Sequence, residues 1–295
     1  MADSPVSDVE RLRLRARPRG LPVMRQRWRH LGFLHWAVDP VALAALLPRS
    51  LELDTWQGQA FVGVVPFTVH GTRPPFLPAI PWLSDFHELN VRTYVHRRGR
   101  DPGVWFFSLD AASRLAVWGA RATYKLPYFH ASIALAHSES GAISFSSRRA
   151  AGAGGRPRFA CSYQPSSSRP SSKQPSEQSS KQSSEPLSAP AELAVGTRDF
   201  FLVERYLLYS WDGTRLRSAR VWHQPYPIAP ARIADLSQDV TDAARVEVEA
   251  GRPPIAHYCR EVDVRIYAPT VVKEPVTEAI FDPTTPLAQP QLLSG

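Results

Sequence analysis

The sequence predicts a mainly β (α+β) protein: a closed or strongly curved antiparallel sheet with a few flanking helices. Two observations carry this prediction. Seven runs of β-branched and aromatic residues have the composition of strands, and only three segments have helical patterns. Strands joined by short turns, with helices at the margins, are typical of such a sheet. The predicted strands are 60–69, 88–96, 104–111, 131–136, 200–210, 215–223 and 261–267.

Two turn signals define neighbouring strands. Residues 100–103, with Pro and Gly in sequence, separate 88–96 from 104–111. Asp212-Gly213 lies between the predicted strands 200–210 and 215–223. An Asp-Gly pair between two apolar strands predicts a hairpin.

The helical segments lie between the strands. Asp39 followed by Pro40 predicts a helix start, because Asp caps the first turn and Pro suits its first position. Apolar residues at helical spacing predict a second helix over 112–124. A third helix is predicted at 231–235.

Composition divides the chain into one domain, two tails and an insertion. Residues 164–192 are rich in Ser, Pro and Gln and almost lack large apolar side chains, so we expect a disordered insertion. Residues 1–20 and 274–295 are expected to be tails. The remainder, 21–273, is predicted to form a single domain, since a long loop between neighbouring strands is thermodynamically tolerable.

The charge does not indicate nucleic-acid binding. Of the net charge of +8, residues 1–20 carry +2 and residues 146–192 carry +4. The basic character therefore lies mostly in segments predicted to be unfolded, which makes a nucleic-acid partner unlikely. No apolar run could span a bilayer, no signal peptide is evident, and two cysteines cannot form a disulfide framework, so a cytoplasmic location is expected.

The polar residues of the second predicted strand share one face. Alternation places Glu88, Asn90 and Arg92 on the same side, between the aromatic residues Phe86 and Tyr94. An acid, an amide and a base in a row can contact a ligand between strands. The alternative interpretation is the solvated face of an ordinary antiparallel sheet.

Two further polar residues occur in apolar surroundings. Glu204 lies within a predicted strand, and a buried carboxylate needs a partner such as Arg92, Arg121 or Arg220. Glu204 is accordingly either in a structural salt bridge or catalytic. His223 ends a predicted strand and is either at a cavity mouth or a hydrogen-bonded core residue.

The sequence lacks the motifs of several common chemistries. No His, Asp, Glu or Cys spacing fits a metal site, and no phosphate-binding or dinucleotide-binding glycine pattern occurs. We therefore predict no metal and no cofactor.

Several blocks of the sequence resemble a known bacterial family. FHELNVRTYV, GVWFFSLDA, ARATYKLPYFHA, FLVERYLLYS and VWHQPYP, in this order, are similar to the YqjF-like family, the domain of unknown function 2071. That family is related to the acetoacetate decarboxylase superfamily. The resemblance implies an acetoacetate decarboxylase-like closed antiparallel β-cone or barrel that encloses a small-molecule pocket.

The resemblance does not extend to the decarboxylase lysine. Decarboxylation in the superfamily requires a lysine of lowered pKa that condenses with a ketone. In the matching block here, Tyr128 and Phe129 replace the lysine pair, whereas Arg121 and Pro127 match. Lys125 is the one nearby lysine, and we expect it not to form an imine.

The combined prediction is a pocket that binds a small carboxylate or carbonyl compound, with Arg92 as the anion anchor. The alternatives are a non-catalytic binding or scaffold module, a lysine-independent lyase or hydratase acting on a keto acid, and contact of the basic segments with a polyanion. Association with further copies of the chain stays open. The predicted ligand-binding residues are Glu88, Asn90, Arg92, Tyr94, Arg121 and Tyr128. The acid/base candidates are Glu88, Glu204 and His223.

Overall fold

A single sheet of thirteen strands organises the structure. The computed structural model describes residues 6–80, 84–150, 155–166 and 192–273. The strands are β1 Met24–Val38, β2 Glu52–Leu53, β3 Ala60–Arg73, β4 Phe86–Arg97, β5 Arg100–Ala111, β6 Tyr128–His137, β7 Ile143–Arg149, β8 Arg158–Pro165, β9 Leu207–Trp211, β10 Leu216–His223, β11 Ile228–Gln238, β12 Ile255–Ile266 and β13 Thr270–Val271. The helices are α1 Asp8–Arg15, α2 Pro40–Ala44, α3 Arg114–Tyr124, α4 Arg198–Val203 and α5 Val240–Ala243.

Two additional pairings connect strands that are distant in the strand order. The order is β13-β10-β9-β5-β6-β7-β8-β11-β12-β1-β3-β4-β2, and β4 also pairs with β5 while β10 also pairs with β12. Most pairs are antiparallel, and β5 is parallel to both β6 and β9. The predicted mainly β architecture is confirmed, and the two additional pairings curve the sheet around an interior.

The two predicted turns have different outcomes. The hairpin at Asp212-Gly213 is confirmed, since β9 and β10 pair antiparallel across it. The turn predicted at 100–103 is wrong, because these residues belong to β5. The chain reverses at Arg98 and Gly99, whose φ angles of 49° and 73° fit a tight hairpin turn.

The helices at Asp39 and over 112–124 are confirmed as α2 and α3. Asp39 accepts hydrogen bonds from the amides of Val41 and Ala42 at 2.7 and 3.1 Å. The helix predicted at 231–235 is wrong, since it lies inside β11. There the chain pairs with β8 and makes a bulge after Ala234.

The strand predicted over 200–210 is also only partly right. Residues Arg198–Val203 form α4, and only Leu207–Trp211 form a strand. The Thr197 hydroxyl caps this helix by accepting the amide of Phe200 at 3.3 Å. Local capping therefore overrides the β-rich composition of the segment.

Six observed strands have no counterpart among the predicted strands, namely β1, β2, β7, β8, β11 and β13. The longest, β1, carries three arginines and a histidine in its first half, which hide its pattern. The strands β7 and β8 alternate between buried and exposed positions, but Ser and Arg make up five of the seven residues of β7. Most of the predicted insertion and all of 274–295 lie outside the described residues, although residues 164 and 165 belong to β8.

The N-terminal segment differs from the predicted disordered tail. Residues Asp8–Arg15 form α1, and the Ser7 hydroxyl caps it by accepting the amide of Glu10 at 3.2 Å. Arg11 and Leu14 are buried. Both Arg11 terminal nitrogens donate to the Asp54 carboxylate at 2.6 Å, which anchors the helix in the interior.

Asp54 therefore holds together two arginines from distant parts of the chain. Arg205 also donates to it, at 2.8 Å, and all three side chains are less than 10% exposed. Burial would raise the pKa of Asp54, but Arg205 and Arg11 outweigh that effect and lower it. Asp54 is thus ionised and joins α1 to the residues that follow α4.

We expect Asp54→Asn to destabilise the protein by about 3–5 kcal/mol, because it leaves two buried guanidinium groups without their carboxylate. Asp263→Asn, which removes an exposed partner of Arg27, should change the free energy of unfolding by less than about 1 kcal/mol. Urea unfolding of both variants measures the difference. Equal, small effects would contradict the structural role of Asp54.

Candidate functional site

A cavity of about 460 Å³ lies inside the curved sheet. Its walls come from β1, β3, β4, β5, β6, β9, β10 and β12, and α3 covers one side. Most of the lining is apolar or aromatic. Among the described lining residues, the acidic and basic side chains are Glu88, Arg92 and Arg205.

Every second residue in the first half of β4 reaches this cavity. Phe86, Glu88, Asn90 and Arg92 all line it, which agrees with the alternation of an extended strand. Glu88, Asn90 and Arg92 are all buried, so this row is not a solvated sheet face. Their contact with a ligand stays a prediction.

Arg92 is a buried cation with unused hydrogen-bond donors. Its side chain lies 5.5 Å from the centroid of the Phe33 ring and 5.7 Å from that of Tyr94. Its Nε and Nη2 atoms have no hydrogen-bond partner, and among the described residues it forms no ion pair. Cation–π contacts stabilise a guanidinium but do not satisfy its N–H groups.

Arg205 supplies a second cation to the same cavity. It packs 4.6 Å from the centroid of the same Tyr94 ring and is paired with Asp54, yet its Nε and Nη2 atoms have no partner. Burial lowers the pKa of Arg205 to about 10, so it stays charged at neutral pH. Arg205 is not among the ligand-binding residues predicted from the sequence.

Glu88 is the acid of the cavity, and its environment favours the neutral form. Burial raises the pKa of Glu88 to about 8, with a further increase from the neighbouring Asp110. The Tyr128 hydroxyl donates to its Oε2 atom at 3.0 Å, which opposes the increase. Asn90 adds an acceptor, since its Oδ1 atom is buried without a partner.

Two predicted ligand-binding residues support the cavity from behind. Tyr94 is outside the lining; its hydroxyl donates to the carbonyl of Leu202 at 2.6 Å, and its ring lies beneath both arginines. Arg121 is also outside the lining and donates from Nε to the carbonyl of Tyr128 at 2.7 Å. Tyr128 itself lines the cavity.

Glu204 and His223, predicted as acid/base candidates, are outside the cavity lining. Glu204 accepts from the Tyr226 amide at 2.9 Å and from the Tyr206 hydroxyl, and the salt bridges expected with Arg92, Arg121 or Arg220 are not formed. Because Glu204 ends α4 and is not in a strand, the predicted pairing does not apply.

His223 is held within the core. Its Nδ1 and Nε2 atoms lie 2.7 Å and 3.1 Å from the backbone carbonyls of Gln224 and Arg205. Burial lowers its pKa. Its ring packs on Tyr206 and Tyr226, with centroids 4.5 and 4.1 Å apart.

The lysine positions bear on covalent chemistry. No lysine occurs among the described residues of the cavity lining. Lys125 ends α3 with a φ of 54° and lies outside that lining. Lys173 and Lys181 fall outside the described residues.

Neither a metal cluster nor a membrane-spanning helix is found in the described part of the chain. It brings no three His, Cys, Asp or Glu side chains into a group that could hold an ion. Its helices are all too short or too polar to cross a bilayer.

The chain belongs to the family of the domain of unknown function 2071, described as an uncharacterized conserved protein, whose pattern matches residues 25–263. The uncharacterized protein YqjF of Bacillus subtilis (strain 168) is 36% identical over 247 residues, which cover 84% of this chain and 91% of that protein.

Solved structures with the same fold are acetoacetate decarboxylase-like. The acetoacetate decarboxylase of Legionella pneumophila is 15% identical with a TM-score of 0.52, covering 92% of this chain and 98% of that one. The enduracididine biosynthesis enzyme MppR, solved with pyruvate, is 13% identical with a TM-score of 0.53, covering 86% and 91%. An acetoacetate decarboxylase-like enzyme from Sphingomonas wittichii RW1 is 13% identical with a TM-score of 0.52, covering 85% and 93%.

Replacement of Glu88 by Gln should change how stability depends on pH. Because the folded-state pKa of about 8 exceeds the ordinary value of 4.5, folded Glu88 keeps a proton that the unfolded chain loses. Its stabilising contribution is complete below about pH 4.5 and is lost as pH rises through 8. Between pH 6 and 8, unfolding free energies of wild type should therefore fall relative to Glu88→Gln by up to about 1.4 kcal/mol per pH unit.

Urea unfolding at pH 6, 7 and 8 measures this difference. Glu261→Gln, at an exposed position that pairs with Arg29, is the control and should follow the wild-type pH dependence. Parallel curves for wild type and Glu88→Gln would show that Glu88 ionises normally in the folded protein.

Proposed function

We propose that this protein binds a small molecule through its carboxylate, with Arg92 as the main anchor and Arg205 beside it. The observation that carries the proposal is the buried, cavity-facing Arg92 guanidinium, which has unpaired N–H groups and no carboxylate partner among the described residues. A buried cation without a partner is unfavourable, and an anionic ligand would supply the missing charge.

Asn90 and Glu88 would contact the rest of the ligand head group. The amide offers an unpaired acceptor, whereas a neutral Glu88 can donate a hydrogen bond to a carbonyl oxygen. A scaffold would gain nothing from such an arrangement, and the cavity volume supports a ligand-binding role over a filled interior. The pyruvate complex of MppR agrees with a ligand of this class.

The proposed site works without a Schiff base. The lining has no lysine among its described residues, so it offers no amine to condense with a ketone. Chemistry at this site would instead be proton transfer by Glu88, whose pKa lies near neutral pH.

Arg92→Met should weaken carboxylate binding while keeping the fold. Methionine has a similar length and removes an uncompensated buried charge, so we expect unchanged or higher thermal stability. Loss of the charged hydrogen bonds should weaken binding of monocarboxylates by about 10-fold to 100-fold. Ligand-observed NMR with pyruvate and butyrate measures binding, and Arg27→Met, at an exposed ion pair, is the control.

An unfolded Arg92→Met protein would mean that Arg92 has a structural role. Unchanged binding in a folded variant would remove Arg92 as the anchor.

A second candidate function, lysine-independent proton transfer, is favoured by the neutral Glu88 beside Tyr128. A 2-oxo acid could receive the Glu88 proton on its C2 carbonyl oxygen while the adjacent C3 carbon loses a proton to water, which gives an enol. Reversal in D₂O replaces hydrogen by deuterium at that carbon.

NMR of 2-oxobutyrate in D₂O tests this second function. Wild type should accelerate deuterium incorporation, and Glu88→Gln should reduce the acceleration about 100-fold or more, since it removes the general acid. Equal exchange with both proteins would exclude Glu88 as the proton donor and leave a binding role.

A further inference from the structure

We propose that the cavity takes a monocarboxylic acid with a long apolar body, alkyl or aryl, with its carboxylate at Arg92 and its body extending out along α3. This inference rests on the proposed function of Arg92 as the carboxylate anchor. It specifies a class of ligand larger than a keto acid of three or four carbons.

The volume is the first argument. About 460 Å³ is within the range of roughly 300–1,000 Å³ that holds drug-sized ligands. A pyruvate-sized molecule bound at Arg92 would leave most of the apolar wall without contacts. Empty space next to apolar side chains forfeits dispersion energy, which a longer ligand body would recover.

The lining combines buried polar residues with exposed apolar ones. Arg92, Arg205 and Tyr226 are buried. Leu77, between β3 and β4, and Leu115 of α3 also line the cavity, and they are 59% and 51% exposed. Exposed apolar residues in a cavity wall favour contact with an apolar ligand.

The polar row of β4 shows that the cavity is long. An extended strand advances about 3.3 Å per residue, so Phe86 lies roughly 20 Å from Arg92 at the backbone. The residues between them offer an amide and a carboxyl group whose raised pKa of about 8 avoids a fixed negative charge at neutral pH. An apolar chain can therefore pass Glu88 without meeting an anion.

Small residues on α3 leave room for the ligand body. Ala116, Gly119 and Ala120 line the cavity on one helix face. A Cβ atom added to Gly119 would meet no atom within 4 Å, so the space beside it is open. Glycine inside a helix destabilises it by about 1 kcal/mol relative to alanine, which is consistent with a position kept free of side chain.

The affinity of straight-chain acids tests the proposal on the full chain. Titration calorimetry with butyrate, hexanoate, octanoate and decanoate should show affinity increasing about fourfold for each added methylene. Octanol, which lacks the carboxylate, should bind at least tenfold more weakly than octanoate. Equal affinity of butyrate and decanoate would overturn the proposal.

A matched pair of variants on α3 tests the position of the ligand body. Gly119→Leu should fill the open space and weaken decanoate binding at least thirtyfold while butyrate affinity changes less than twofold. Ala122→Leu, at an exposed position of the same helix outside the lining, should leave both unchanged. Thermal unfolding confirms that both variants are folded.

The outcomes separate this inference from the proposed function. Undiminished decanoate binding to folded Gly119→Leu would overturn the long-ligand inference and leave carboxylate binding at Arg92 intact. Failure of every acid in the series to bind, short or long, would overturn the proposed function together with the inference.

Discussion

The structure depends on how buried positive charge is held inside a curved β-sheet. Arg11 and Arg205 share the single carboxylate of Asp54. Arg92 lies over the same Tyr94 ring as Arg205 but has no carboxylate partner among the described residues. Desolvated cations are tolerated only where aromatic faces, hydrogen bonds or an incoming anion compensate them. The protein supplies the first two in part, and the proposed carboxylate ligand would supply the third.

The fold makes this arrangement geometrically possible. Because β4 pairs with β3 on one side and β5 on the other, its inward row faces an interior instead of solvent. Tyr94 is held in place by its hydrogen bond to the carbonyl of Leu202 near the end of α4. Tyr128 is held by the hydrogen bond from Arg121 to its backbone carbonyl. Residues behind the lining thus determine where the lining groups lie.

The sequence was sufficient where local periodicity decides the outcome. The shared face of Glu88, Asn90 and Arg92 follows from strand alternation alone, whereas alternation does not decide whether that face meets solvent or a cavity. Arg205 was not predictable this way, because the Thr197 cap turns the preceding residues into a helix and shifts the phase of the pattern. The Thr197 and Asp199 helix-start signal was present, but β-rich composition outweighed it. Partners such as Asp54 and Tyr226 come from distant segments, which periodicity does not encode.

The Asp54 junction has a consequence for the order of events during synthesis. Its two arginine partners lie 43 residues before it and 151 residues after it. A nascent chain that has emerged only as far as β8 holds Asp54 and Arg11 but lacks the residue that completes the junction. Contacts of such long sequence separation form slowly. The Asp54 junction, and with it the second cation of the cavity, therefore cannot form before about two thirds of the polypeptide has left the ribosome.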